Sequence, residues 1–263
     1  LNIKSDNRPI GVYDSGLGGL SVWRELHAKL PNESLTYLAD GVNCPYGGRP
    51  KEEIRRFADE AVGKLIADGA KMVVVACNTA TAAAIDFLRE KYSDTPIVGM
   101  EPAVKPAAMA TRSGVVGVLA TAGSLGGDLF LRTSARYADR ARFIAAVGEG
   151  FVEIVEQSQE STPEAEEAVR RVVEPLITEG ADQIVLGCTH YPFLREVIER
   201  VIDDREVAVI DPAPAVARRV EQLLDQFEMR ADAENEAQYS FVTFASDDYL
   251  NRLKDKALQI ISR

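Results

Sequence analysis

Cys77 and Cys188 stand in nearly matching settings. The first closes a run of β-branched residues, Val73-Val74-Val75-Ala76-Cys77-Asn78-Thr79, and the second closes Ile184-Val185-Leu186-Gly187-Cys188-Thr189-His190. Each apolar run predicts a buried strand whose thiol emerges at the carboxyl end, with small polar residues after it. That edge of a parallel sheet is where α/β proteins hold their ligands. Two thiols presented in this way from two halves of a chain can face each other across one substrate. A thiolate on one face of a carbon acid and a thiol on the other remove and return a proton with inversion, which is the chemistry of a racemase or epimerase. Such a reaction must stabilise a carbanion, and preorganised donors around a substrate carboxylate supply that, more strongly once water is excluded. The competing chemistry is thiol–disulfide exchange. It wants a resolving cysteine close by, and the chain has no CxxC. A third reading is an α/β binding module that keeps its ligand loops without turnover.

Other motifs supply the groups such a site needs. Asp14-Ser15-Gly16-Leu17-Gly18-Gly19 is a glycine-rich turn between a strand and a helix. Its backbone N–H groups suit a carboxylate or phosphate, although it is neither GxGxxG nor a P-loop. Asn43 to Pro50 is a Pro/Gly-ordered loop that offers the Tyr46 hydroxyl and free N–H groups to a ligand, unless Tyr46 simply packs on the core. Cys44 lies in that loop, one residue before a proline, and reads as structural or incidental. Asn78 and Thr79 can cap a helix and still present donors to an anion. His190 lies two residues from Cys188 and is able to accept or return its proton. His27 reads as a surface or packing residue and Trp23 as a core residue.

The chain has 263 residues, 46% of them hydrophobic and 27% charged, the balance of an ordinary globular protein. No apolar run is long enough to cross a bilayer and no targeting segment is visible, so a cytoplasmic location and no membrane partner are expected. Against 30 Lys and Arg stand 41 Asp and Glu, a net charge of −11 that argues against a nucleic-acid surface. With only His27 and His190 and no zinc spacing, no metal is expected. The three cysteines are too few for a disulfide framework and are expected as free thiols.

Strand-like runs alternate with helical patterns, which predicts an α/β fold with mainly parallel sheets. Strands are expected at 9–13, 35–39, 71–76, 97–100, 115–120, 142–147, 183–187, 207–210 and 239–245, with helices over about 19–30 and 51–67. Ser161-Thr162-Pro163-Glu164 has the form of a helix start. The repeated strand–cysteine–polar pattern predicts two pseudo-symmetric α/β domains with the active site at their interface. The first would comprise 1–102 plus 212–263 and the second 103–211, with switches near Pro102 and at Asp211-Pro212-Ala213-Pro214.

Together these motifs resemble the cofactor-independent glutamate racemases of the aspartate/glutamate racemase superfamily. The resemblance rests on Gly11-Val12-Tyr13-Asp14-Ser15-Gly16-Leu17-Gly18-Gly19, Cys44-Pro45-Tyr46-Gly47, Ala76-Cys77-Asn78-Thr79-Ala80-Thr81-Ala82, Leu186-Gly187-Cys188-Thr189-His190-Tyr191-Pro192 and Asp211-Pro212-Ala213, in that order. It implies that L- and D-glutamate interconvert through the two thiols with no cofactor, supplying D-glutamate for peptidoglycan. An aspartate racemase, or another racemase of the superfamily, is the near alternative. By matching positions, Cys77 would take the α-proton of D-glutamate with help from Asp14, and Cys188 that of L-glutamate with help from His190. Asp14, Ser15, Tyr46, Gly47, Asn78, Thr79, Thr121, Thr189 and His190 would hold the substrate. The resemblance also allows a homodimer. Two places depart from the family pattern: Ala39-Asp40-Gly41 replaces the usual Gly-Asp-Thr, and Val147-Gly148-Glu149 stands where a Cys-Pro is usual. Glu156 aligns with the family's auxiliary glutamate if one residue is inserted, with Glu149 and Glu153 as alternatives.

Overall fold

Every run expected to be a strand forms one, with ends shifted by a residue or two, and every ladder among the described residues is parallel. The computed structural model describes residues 5–101 and 103–262. The expected switch at Pro102 falls outside them. In chain order the first elements are β1 (Ile10–Asp14), α1 (Leu20–Lys29), β2 (Leu35–Ala39), α2 (Lys51–Ala67), β3 (Met72–Val75), α3 (Asn78–Lys91), β4 (Ile97–Gly99) and α4 (Val104–Ala110). There follow β5 (Val115–Ala120), α5 (Ala122–Leu125), α6 (Asp128–Ala135), β6 (Arg142–Val147), α7 (Phe151–Glu156), α8 (Pro163–Thr178), β7 (Gln183–Gly187), a 3-10 turn at Tyr191–Leu194, α9 (Arg195–Ile202) and β8 (Ala208–Ile210). The chain closes with α10 (Ala213–Gln226), β9 (Tyr239–Thr243) and α11 (Asp247–Ile261).

Two sheets result, in the orders β4-β3-β1-β2-β9 and β6-β5-β7-β8. Their central strands β1, β3 and β7 are buried along their whole length, because helices cover both faces; hence the unbroken apolar runs in the sequence. Alternate residues feed opposite layers. Val12 and Val74 pack with Trp23, Val220 and Leu253 on one face of the first sheet, while Tyr13, Val73 and Val75 pack with Phe57 and Leu88 on the other. The second sheet is sandwiched likewise, Leu119 and Leu186 meeting Val173 and Ile198, and Val118 and Val185 meeting Val104. The expected packing role of Trp23 holds: it is buried, and His27 stacks on it at 5.2 Å.

Small details show local chemistry setting the ends. Thr162 caps α8 by accepting from the Ala165 N–H at 3.2 Å, with Pro163 in the first turn as the sequence suggests. The alternating segment 239–245 stops pairing at Thr243, whose hydroxyl donates to the Ala39 carbonyl and accepts from the Ala245 N–H. That turn hands the chain to Ser246, the cap of α11. Lys71 is a buried cation rather than part of a strand, paired with buried Glu33 at 2.6 Å.

Register positions the thiols. Tyr13 lies opposite Val75, so Ser15 and Cys77 leave the first sheet side by side. Ala120 lies opposite Gly187, so Thr121 and Cys188 leave the second sheet as neighbours.

Candidate active site

The carboxyl edges of the two sheets meet, and hydrogen bonds stitch them together. Thr189 Oγ1 donates to Asp14 Oδ2 at 3.0 Å, the Leu17 N–H to Glu156 Oε1 at 2.7 Å, and the Gly123 N–H to the Gly47 carbonyl at 3.0 Å. Thr79 Oγ1 and Thr121 Oγ1 stand 2.9 Å apart, and Ser124 completes a cluster of hydroxyls with them. Between the edges lies a narrow cavity bordered by Ser15, Cys77 and Asn78 on one side and by Thr121, Cys188 and His190 on the other. Its free space is about 10 Å³, roughly one water molecule. A larger cleft of about 660 Å³ opens among Arg89, Thr95, Glu101, Arg219 and Phe227, but no thiol or imidazole lines it. The small cavity is the one that carries chemistry.

Cys77 is the cap of α3. Its Sγ accepts from the Ala80 N–H at 3.4 Å, and its thiol donates to Ser15 Oγ at 3.7 Å. Burial, then the charge of Asp14, push this thiol up to about 12. Asp14 itself is held above the usual carboxylate range by burial, against the pull of the His190 charge and of its bonds from the Gly16 N–H and the Thr189 hydroxyl. Asp14 therefore bears on Cys77 through its charge.

Cys188 follows β7 and faces His190 Nδ1 at 3.8 Å. The other ring nitrogen, Nε2, meets Glu156 Oε1 at 2.7 Å. Of the three carboxylates open as candidates in the sequence, Glu156 is the one at the imidazole. Burial alone would pull the His190 imidazolium down, yet its bonds to Cys188, Cys44 and Glu156 outweigh that and hold it well above its ordinary value. For Glu156, burial acts upward, but the bond and charge of His190, the Leu17 N–H and the Tyr249 hydroxyl bring the carboxyl below its ordinary value. The pair is thus an imidazolium and a carboxylate, with the imidazolium presented to Cys188.

The expected residues gather at this edge with one qualification. Tyr46 lines the cavity, but its hydroxyl is bonded to Asp40 Oδ2 at 2.5 Å and Tyr13 at 2.7 Å, so it orders the loop that carries Gly47. Asn78 Oδ1, in contrast, is buried with no hydrogen-bond partner among the described residues. Sequence reasoning missed two participants. Tyr249, from α11, donates to Glu156 Oε2 at 2.9 Å. Cys44, read as incidental, sits beside His190 and Glu156 with donor atoms within 4.8 Å of one another. Tyr249 has no local signal, because it reaches the site from a segment remote in sequence, and Cys44, although it lies in the Tyr46–Gly47 loop, meets partners far along the chain.

The glycine turn is shaped by this crowding. A Cβ at residue 16 would collide with Glu156 Oε1 and stand 2.9 Å from Cys44 Sγ, and one at residue 18 would collide with the His190 ring. Gly16→Ala is expected to cost about 1–3 kcal/mol and to displace Glu156. Urea unfolding measures the first, and unchanged stability would show that the carboxylate does not pack against that turn.

Buried Cys77 and partly buried Cys44 also make stability depend on pH. Unfolded cysteines ionise near about 8.5, whereas burial holds Cys77 as a thiol up to about 12 and Cys44 up to about 11. Between those values the unfolded chain binds fewer protons than the folded one, so stability falls as pH rises; below them the contribution is complete. The urea midpoint should be lower at pH ~10 than at pH ~8, with a shallower fall in Cys77→Ala. An identical fall in that variant would contradict the assignment.

A sequence model of the Asp/Glu/Hydantoin racemase family matches residues 18–220. A glutamate racemase of Ectopseudomonas mendocina is 51% identical over 223 residues, which cover 85% of this chain and 84% of that one. Among solved structures, a glutamate racemase isoform from Bacillus anthracis superposes with a TM-score of 0.87 at 31% identity, covering 97% of this chain and 95% of that one. The Francisella tularensis glutamate racemase, solved in complex with D-glutamate, gives 0.84 at 26% identity over 97% and 94%. Similar in sequence over most of its length and in fold over nearly all of it, the chain belongs to the glutamate racemases of the Asp/Glu/Hydantoin racemase family.

Proposed function

We propose that this chain interconverts L- and D-glutamate by a two-base mechanism in which Cys188 and Cys77 act on opposite faces of Cα. The observation that carries the proposal is a pair of buried thiols, one from each sheet, bordering one narrow cavity lined by hydroxyls and an unpaired amide oxygen. In the L-to-D direction the Cys188 thiolate takes the α-proton, and the Cys77 thiol delivers its own to the other face. The high position of Cys77 suits that delivery, since it rests protonated at neutral pH. The His190–Glu156 pair exchanges the proton of Cys188, and Asp14 serves Cys77. Ser15, Asn78, Thr79, Thr121 and Thr189 hold the substrate, Asn78 Oδ1 accepting from the α-ammonium group and the hydroxyls donating to carboxylates. Because the free space is only about 10 Å³, glutamate must be admitted by a parting of the two edges, which then close and exclude water.

The direct test is incubation with L-glutamate in D₂O, followed by polarimetry and NMR. D-glutamate carrying deuterium at Cα, with residual L-glutamate protiated early on, is the expected result. Binding without inversion or exchange would overturn the proposal. The family kinship further supports a role in supplying D-glutamate for peptidoglycan in the cytoplasm, which growth of a D-glutamate-requiring strain on this chain alone would test. No helix among the described residues is long and apolar enough to cross a membrane. A homodimer, also suggested by kinship, is checked by light scattering.

A further inference from the structure

The proton-transfer scheme leaves Cys44 without a task, although its thiol stands at the His190–Glu156 pair. We propose that Cys44, Glu156 and His190 form a binding site for a thiophilic divalent cation such as Zn²⁺, and that an ion bound there switches the enzyme off by occupying His190. Binding is read from the donor set alone, while the inhibition rests on the role given to His190 above.

Three observations carry the site. The donors are a sulfur, an imidazole nitrogen and a carboxylate oxygen within 4.8 Å of one another, with Nε2 and Oε1 at 2.7 Å. One thiolate, one imidazole and one carboxylate are ligands Zn²⁺ accepts, and three protein ligands leave a fourth position open. With metal–ligand bonds of about 2.0–2.3 Å, tetrahedral donors stand roughly 3.3–3.6 Å apart. The thiol then moves inward by about an ångström and the imidazole and carboxylate part by about half an ångström, shifts within reach of side-chain rotation. Second, the carboxylate ligand is already oriented by outer partners, as in built metal sites. The Leu17 N–H holds Glu156 Oε1 at 2.7 Å and the Tyr249 hydroxyl holds Oε2 at 2.9 Å. Third, Gly16, lacking a Cβ, lets Glu156 Oε1 and Cys44 Sγ converge against its backbone, where any Cβ would collide with the first and stand 2.9 Å from the second. Cys44 and Glu156 are only partly buried, so an ion has a route from solvent.

No zinc spacing appears in the sequence because the ligands come from three separate places: the loop after β2, the end of α7 and the turn after β7. Binding would release the Cys44 thiol proton and the proton shared by His190 and Glu156 to solvent, and the ion would take their place. With Nε2 bound to the cation the ring can no longer cycle between imidazolium and imidazole, so the proton on Nδ1, 3.8 Å from Cys188, is given up far less readily.

The test titrates EDTA-stripped, desalted protein with CoCl₂ and then ZnCl₂. A thiolate-to-cobalt charge-transfer band in the near ultraviolet, saturating at about one equivalent and abolished by Zn²⁺, is expected of a Cys–His–carboxylate site. Loss of an outer partner typically weakens metal binding about 10–100-fold, so Cys44→Ser, which loses a ligand, should lose the band and bind Zn²⁺ about 100-fold more weakly or worse. Cys77→Ser should keep both. Should Cys44→Ser fail to fold, alkylation of the wild type mapped by mass spectrometry serves instead, Zn²⁺ protecting the Cys44 peptide. Absence of the band, or its survival in Cys44→Ser and loss in Cys77→Ser, would overturn the site, as would unprotected Cys44. In active protein, Zn²⁺ should inhibit racemisation reversibly with EDTA, and Cys44→Ser should need about 100-fold more for the same fractional inhibition. Metal binding through Cys44 with no effect on turnover would sink the switch. Failure of glutamate racemisation itself would leave the binding result standing.

Discussion

Racemisation by the Cys77→Ala and Cys188→Ala chains is expected to fall by about 10³-fold or more in both directions, at the upper end of what a positioned acid or base contributes. In the proposed two-base scheme each thiol is the base in one direction and the acid in the other, so neither direction should survive the loss of either. The two variants differ in what remains. In Cys77→Ala the surviving thiol still faces the α-hydrogen of L-glutamate, so slow α-deuteration of L-glutamate without inversion is expected in D₂O. In Cys188→Ala the same residual exchange should appear on D-glutamate. The opposite pattern would reverse the assignment of thiols to faces, and near-normal inversion in either variant would end the two-base scheme. Circular dichroism of both variants checks that the fold persists.

His190→Asn should lower kcat by about 10²–10³-fold, and the loss should be larger from L to D, where the proposed scheme makes Cys188 the base. Enantiomers have equal free energies in water, so kcat/KM must fall by one factor in both directions. Asymmetry is visible only in kcat, with KM compensating. The variant also leaves Glu156, held 2.7 Å from the ring in the wild type, without its cationic partner. An uncompensated buried charge costs about 3–5 kcal/mol, discounted here because Glu156 keeps its Leu17 and Tyr249 donors and some contact with solvent. Equal losses of kcat in both directions would detach His190 from Cys188 specifically.

The central strands and their thiols were legible in the sequence because β1, β3 and β7 are buried on both faces, and burial of that kind writes unbroken β-branched runs. Cys188 and His190 were legible together because two residues in one turn cannot be far apart. Glu156 was less so: α7 is short, and Glu149, Glu153 and Glu156 lie near one another in sequence, so only the bond to the imidazole separates them. Tyr249 left no trace, since an aromatic on an amphipathic helix reads as core, and most of its ring is indeed buried there. Cys44 was hidden by its setting before a proline, where a loop cysteine gives no sign of which side chains it will meet. The Tyr46 hydroxyl shows the converse limit: its residue type invites a ligand, while Asp40 and Tyr13 occupy it.

The bond from Tyr249 to Glu156, together with the pairing of β9 on β2, bears on how the enzyme comes into being on the ribosome. Synthesis proceeds from the amino terminus, so both thiols, the imidazole and Glu156 emerge well before residues 239–261. A nascent chain that has reached α10 owns both thiols, the imidazole and Glu156, yet lacks the edge strand of its first sheet and the phenol that steadies the carboxylate. The site is therefore completed late in translation, when α11 docks, and a polypeptide cut short between α10 and β9 would leave the ribosome with both thiols and the imidazole present but Glu156 without its Tyr249 donor.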